Sequence, residues 1–424
     1  MRDVREHIRR SWTLSVVVLL LALMVAGSAP SALRTAGPVA GPSVPDRTAG
    51  YSTFTGSVTG APPGRAIALY GYGNGELFNM FQSLVVGADR DTYRRVDAME
   101  DRDRPSALLA PDGTHVLLGD ERGATDDLIL VDLATGERRS IPLGATVGVR
   151  LLAWSPDGRS VAYSAAPLTD TSEFGSVNVV EPAVARDGTL RLLDVASGSS
   201  TDLPSVEPPW TAAFAPDSRR LAVQVGQQVR LIGLDGTEFD TVDIAAGREL
   251  APEVGWSPDG RFLATVPWVG DGPTGGFTGH GMFLWDSGDV SFVPLDDADS
   301  TPTAVPDVAR LLGWRSADTM VVATVDDAQH VTLAEVDRAT ASRRTLSRFD
   351  TGSTCELHTQ PCMVFDLHLA TGLLPDLTVR DAGNPQRGGV GPIIVNSLVV
   401  ATLLGAAYLL WRRLRRTGSG PPRG

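Results

Sequence analysis

The sequence predicts an all-β fold assembled from a repeated four-stranded unit, with an apolar helix expected near each end. Three observations carry this. A strand–turn–strand pattern centred on Pro-Asp-Gly recurs through the middle of the chain. Glycine and proline, 45 and 29 of 424 residues, are abundant enough to favour turn-rich β structure over helical bundles. Charge-free apolar runs stand near both termini.

The repeat reads SALLAPDGTHVLLG at 106, RLLAWSPDGRSVAYSA at 150, TAAFAPDSRRLAVQV at 211 and PEVGWSPDGRFLATV at 252. RLLGWRSADTMVVAT at 310 keeps the apolar pattern without the proline. Each copy is a strand of alternating apolar residues, a tight turn and a second strand, hence a β-hairpin. Proline presets φ at the first corner of the turn, and Asp and Gly accept the positions that follow. A third strand and a short turn come next, as in LILVDLATGERRSIPL at 128 and LRLLDVASGSSTDLP at 190. The unit is therefore four strands of about 45 residues. One such sheet cannot bury both faces alone, whereas radial packing against its neighbours can, so the copies imply a β-propeller.

The motifs Trp154-Ser155-Pro156-Asp157-Gly158 and Trp256-Ser257-Pro258-Asp259-Gly260 resemble the WD40-like (PD40) repeats of TolB-type propellers, over roughly residues 64–350. The resemblance implies the fold and leaves function open, because such repeats serve binding, scaffolding and regulatory roles. Six blades are expected, seven being the alternative. Residues 64–99 read as a degenerate further copy, and FDLHLATGLLPDLTV (365–379) either closes the ring or begins a seventh blade.

The ends predict membrane attachment. Residues 1–10 are a basic, cytoplasmic N-terminus. Residues 11–33, with the apolar core LSVVVLLLALMVAG, read as a signal sequence or a signal-anchor helix, both open at this point. Residues 34–50 are rich in Pro, Gly, Ala and Ser and read as a flexible tether to a propeller at 51–380, and 381–389 read as a second tether. From Val390 to Trp411 the chain carries no charge, and 22 helical residues reach about 33 Å, enough to span a bilayer. Tyr408 and Trp411 suit the interface, and the basic tail 412–424 sets the C-terminus inside. The propeller is then extracytoplasmic at the cell membrane.

The formal net charge is −13 although both flanking pieces are basic, so the domain between them is more acidic still. Such a surface repels phosphate backbones and argues against nucleic acid as a partner. The sequence shows neither a GxSxG elbow nor an HExxH pair, and the glycines at 71, 73 and 75 lack the βαβ unit of a nucleotide site. No cofactor or metal is expected, and no catalytic residue is assigned. The reading is a non-enzymatic binding or scaffolding module with an envelope protein or glycan as partner. Its alternatives are a propeller hydrolase or lyase acting on envelope carbohydrate or peptide, or a sensor that couples through a membrane partner. Two long loops, 165–188 and 267–281, are expected on one face, the second carrying Trp268, Phe277 and His280 as candidate binding residues. Cys355 and Cys362 are a disulfide candidate outside the reducing cytosol.

Overall fold

A computed structural model describes residues 41–412 except 51, 53–54, 74–81, 100–104, 122–124, 168–183, 185–186, 204–205, 207, 269–286, 297–301, 327–329, 350–362 and 389–399. The chain is mostly β, in a propeller-like arrangement of four-stranded blades. It opens with two short strands, β1 (Ser43–Pro45) and β2 (Arg47–Thr48). Next come β3 (Ala66–Gly73), β4 (Gln82–Gly87), β5 (Tyr93–Arg95), β6 (Pro105–Leu109), β7 (His115–Asp120) and β8 (Thr125–Asp132). The seventeen-residue β9 (Arg138–Trp154) follows, then β10 (Ser160–Ala166), β11 (Thr189–Asp194) and β12 (Ser200–Leu203). The next strands are β13 (Thr211–Phe214), β14 (Arg220–Val225), β15 (Gln228–Gly233), β16 (Glu238–Asp243), β17 (Arg248–Leu250), β18 (Phe262–Pro267), β19 (Gly288–Pro294) and β20 (Val305–Val308). The chain closes with β21 (Arg310–Ser316), β22 (Thr319–Val325), β23 (Val331–Asp337), β24 (Arg343–Phe349), β25 (Met363–Leu369) and β26 (Thr378–Arg380).

The sheets follow the repeat. β13 to β16 and β17 to β20 each form an antiparallel blade in chain order, and β21 to β24 form a third with β2 added along β24. One seven-stranded sheet runs from β6 to β12, because β9 serves both as the last strand beside β8 and as the first beside β10. The remaining blade has the order β25-β3-β4-β5, so a strand from late in the chain is innermost beside strands from its beginning. The inner strands touch in succession: β25 with β6, β6 with β9, β9 with β13, β13 with β17, and β21 with β25. The Trp314 indole N–H donates to Val254 O at 2.8 Å and joins the β21 blade to the β17 blade.

Sequence accounts for the turns in detail. The Ser155 hydroxyl donates to Asp157 Oδ1 (2.7 Å) and accepts from the Ser160 N–H (2.8 Å). Ser257 does the same with Asp259 (2.6 Å) and Phe262 (3.0 Å). Gly158 and Gly260 close these turns at φ +73° and +72°, where a Cβ is unfavourable. In the ATG and ASG turns the aspartate opens the bend. Asp132 Oδ1 accepts the Ala134 and Thr135 N–H groups, and Asp194 Oδ1 accepts the amide and hydroxyl of Ser197. Between the blades, apolar residues from facing sheets form continuous cores, for example Phe292, Trp314, Val322 and Val336.

The expected tethers differ from what is observed. Of the 34–50 stretch, 34–40 lie outside the described residues, while 43–48 are strands. β1 pairs in parallel with β26, and β2 pairs in parallel with β24. The cause is a buried ion pair. Arg380, 4% exposed, donates to Asp91 Oδ1 (2.9 Å), Ser43 Oγ (2.8 Å), Gly87 O (3.1 Å) and Arg90 O (3.0 Å). It thereby holds both terminal segments to the β4–β5 turn. Residues 386–388 continue along β5. The Tyr93 N–H donates to Gln386 O, Gly56 N–H donates to Arg387 O, and the Arg387 guanidinium donates to Gly50 O. Within the expected 390–411 span, 400–412 form a helix with almost every residue exposed, and the rest lies outside the described residues, as does the 11–33 segment. Among the described residues no helix is long and apolar enough to cross a membrane.

Candidate site in the central channel

Residues on or beside four inner strands supply the candidate site. Arg150 stands in β9 opposite Ser164, and Trp210 immediately precedes β13. Glu249 is the middle residue of β17, and Arg310 is the first of β21. The Trp210 indole N–H donates to Glu249 Oε2 at 2.8 Å, and the Arg150 guanidinium lies 5.0 Å from the centre of the Trp210 ring. Arg150 also donates to Pro209 O at 3.1 Å, which fixes it over that ring. The strand carrying Glu249 is set by a fully buried amide: the Leu250 N–H donates to Gln224 Oε1 (2.8 Å), and Gln224 Nε2 donates to Gly226 O (2.8 Å). Burial pushes the Glu249 carboxyl up to about 7, against the pull of the Trp210 N–H and the positive charges of Arg310 and Arg150. Glu249 is therefore a buried carboxyl raised toward neutrality.

A second ionic group lies deeper. His368 of β25, with its side chain 5% exposed, is held between two carboxylates: Nδ1 is 2.7 Å from Glu253 Oε1 and Nε2 is 3.0 Å from Asp366 Oδ1. Arg310 approaches the same Glu253 oxygen at 3.8 Å, which links the two groups. Burial alone would lower the imidazole. The charges and hydrogen bonds of Glu253 and Asp366 outweigh it and raise the group to about 10. His368 is thus an imidazolium at neutral pH, with both nitrogens engaged.

The backbone is bent to build this clamp. Asp366 has φ +49° and lies where the β25–β3 register shifts between Phe365 and His368. Glu253 has φ +65° and donates its N–H to Ala212 O of the neighbouring blade at 3.0 Å. Neither residue is glycine, so each conformation costs of the order of 1 kcal/mol or more that the surroundings must supply. Two carboxylates at positive φ thus close on one histidine, one of them at a register shift.

The residues expected from sequence are placed unevenly. Trp268 is described, and its N–H donates to Gly247 O at 3.0 Å. In the β17–β18 ladder Arg248 pairs with Pro267 and Glu249 with Val266, so Trp268 falls on the same face of that blade as Glu249, one register step beyond the end of the ladder. Among the described residues its buried Nε1 has no hydrogen-bond partner. Phe277, His280, Cys355 and Cys362 lie outside the described residues. Sequence reasoning missed Arg150, Trp210, Glu249, Glu253 and Arg310, although a signal existed. Arg150 and Trp210 each stand six residues ahead of the turn proline of their repeat, and RLLGW repeats the arginine at 310. A charged or amphipathic side chain recurring at one inner-strand position is a channel signature.

No protein-family model matches the chain, and no curated protein does. Its structural neighbours are TolB-like β-propeller proteins, together with enzymes. It is similar to TolB from Acinetobacter baumannii, at 14% identity and TM-score 0.44 over 72% of this chain and 67% of that one. It is similar to a putative TolB from Agrobacterium tumefaciens, at 16% identity and TM-score 0.38 over 72% of this chain and 99% of that one. It is also similar to an oligogalacturonate lyase from Vibrio parahaemolyticus, at 15% identity and TM-score 0.39 over 64% of this chain and 72% of that one.

Proposed function

We propose that this chain is a membrane-tethered, extracytoplasmic binding module whose ligand engages the channel mouth. The observation that supports it is the convergence of Arg150, Trp210, Glu249 and Arg310 from four inner strands at one end of the channel, backed by a clamp whose groups satisfy one another. A histidine bonded through both nitrogens to carboxylates, and charged at neutral pH, is a fixed positive charge and a poor proton shuttle. We read the six successive four-stranded ladders as a six-bladed ring closed by β25. The apolar 390–411 segment and the basic tail that follows it are the anchor, with an envelope protein or glycan as partner.

The test is recovery of bound material from detergent-solubilised envelopes by the full chain and by its Trp210→Ala variant. A partner recovered by the first and lost by the second supports the reading. Equal recovery by both removes it. One observation favours a second reading, a propeller hydrolase or lyase: Glu249, held near 7, has the ionisation of a general acid. Turnover of an envelope carbohydrate or peptide that disappears in Glu249→Gln would select the enzyme.

A further inference from the structure

β5 is the outermost strand of its blade, and the C-terminal segment lies along its outer side. Thr92 bridges Gln386 in parallel, and the Tyr93 N–H donates to Gln386 O at 3.0 Å. The Arg94 guanidinium donates to Gln386 O (2.6 Å) and to Ala61 O, and a Cβ on Gly388 would meet its Cζ at 2.4 Å. Arg387 donates to Thr55 Oγ1 (3.1 Å) and Gly50 O (2.7 Å). The segment is therefore fastened to the rim of this blade as far as Gly388. The chain also enters at this rim, where the Ser43 N–H donates to Ala88 O at 2.8 Å.

The charge-free run begins at Val390, two residues beyond Gly388. Two residues of extended chain reach roughly 7 Å. The headgroup layer on each side of a bilayer is about 5–8 Å deep. With that run seated in hydrocarbon, the link is too short for the rim to stand clear of the lipid surface. The charge of the rim suits that position. Beside the terminal segments Arg47, Arg65 and Arg90 are exposed, as are Asp46 and Asp381, and Arg65 pairs with Asp89 at 3.4 Å. Three arginines thus balance three aspartates on a chain whose net charge is −13. An anionic lipid surface repels acidic faces, and it repels a balanced rim least.

We propose that the propeller stands edge-on to the bilayer, with the β5 rim on the lipid headgroups, held there by the short link from Gly388 to the 390–411 segment. The inference rests on the membrane-tethered reading and names the surface that meets the lipid. The inner strands run β25, β6, β9, β13 in one direction and β25, β21, β17, β13 in the other, so the β13–β16 blade lies opposite this rim. A folded unit of about 330 residues is roughly 50 Å across. Phe239 of β16, 50% exposed on that opposite blade, is then held far from lipid. The channel axis runs along the membrane plane, and neither of its openings is covered by the bilayer.

The experiment places a genetically encoded fluorescent residue at Asn384 or at Phe239 of the full chain, both exposed positions. Each protein is reconstituted in vesicles of phosphatidylethanolamine and phosphatidylglycerol, with and without lipid carrying a nitroxide on its headgroup. Alkaline carbonate extraction comes first. Protein that washes off the vesicles overturns the membrane-tethered reading and this inference together. For protein that stays, the nitroxide should remove most of the fluorescence at position 384 and none at 239. A flexible Gly-Ser insert of about 20 residues between Gly388 and Gly389 spans roughly 25 Å. It should restore most of the emission at 384 while the protein remains in the vesicles. Equal quenching at the two positions, quenching at 239 alone, or quenching at 384 that the insert leaves unchanged would overturn the proposal and leave the tether standing.

Discussion

Replacing Arg380 by Met tests the closure of the fold at its sharpest point. Arg380 is 4% exposed and Asp91 5%, and the guanidinium donates to the Asp91 carboxylate, to the Ser43 hydroxyl and to the carbonyls of Ser43, Gly87 and Arg90. Methionine keeps most of the volume and none of the donors. Among the described residues Asp91 would keep the Gly383 N–H on its other oxygen and would stand as a buried charge without a counter-ion. Breaking one side of a buried pair costs about 3–5 kcal/mol. Unfolding entropy of about 2 cal/mol/K per residue over about 330 residues gives roughly 0.7 kcal/mol/K, so Tm should fall by about 4–7 °C. Thermal unfolding followed by circular dichroism is the assay, on wild type, Arg380→Met, Asp91→Asn and the double variant. The ion pair predicts that the double variant is less damaged than the sum of the singles, with a coupling of about 2 kcal/mol or more. A Tm within about 1 °C of wild type for Arg380→Met, or additive single effects, would refute the reasoning.

Three further outcomes follow from the channel and the turns. Glu249, raised from 4.5 to about 7, keeps in the folded chain a proton that the unfolded chain has released; its contribution is complete below pH 4.5 and is lost as pH rises through 7. Glu249→Gln should remove that decline and exceed wild type by about 1–3 kcal/mol at pH 8 in urea unfolding. His368, raised from 6.5 to about 10, contributes stability fully present below pH 6.5 and lost as pH rises toward 10. His368→Gln should cost about 2–4 kcal/mol at pH 6 and flatten the profile between 6.5 and 10. Gly113 and Gly158 occupy equivalent turns at φ +72° and +73°, but a Cβ on Gly113 would meet Ala66 O at 2.1 Å while one on Gly158 would meet nothing within 4 Å. Gly158→Ala should therefore cost about 1 kcal/mol and Gly113→Ala at least about 3, compared by urea unfolding.

The repeats were legible because their turn chemistry is local. Ser155, Asp157 and Gly158 satisfy one another within six residues, so the hairpins read directly from Trp-Ser-Pro-Asp-Gly. The stretch around 365–379 was legible as an element, and whether it closed a blade turned on pairing with β3 almost three hundred residues earlier, which no local pattern carries. Residues 34–50 and 381–389 read as linkers by composition. What orders 43–48 and 378–388 is the contact of Arg380 with Asp91 and Ser43, also a long-range event. The channel groups were hidden for the same reason. Glu253 and His368 are 115 positions apart, and no local pattern pairs them. The loop carrying Trp268 drew attention by its aromatics, and the register of β17 with β18 sets Trp268 across from Gly247, on the same face as Glu249.

The most direct test of the channel mouth as the binding site places a photo-crosslinking residue at Trp268 in intact cells. A matched control sits at Thr135, exposed in the β8–β9 turn on the opposite face. The account predicts a discrete crosslinked species from position 268 and none from 135. Equal capture from both positions, or capture from 135 alone, would contradict it.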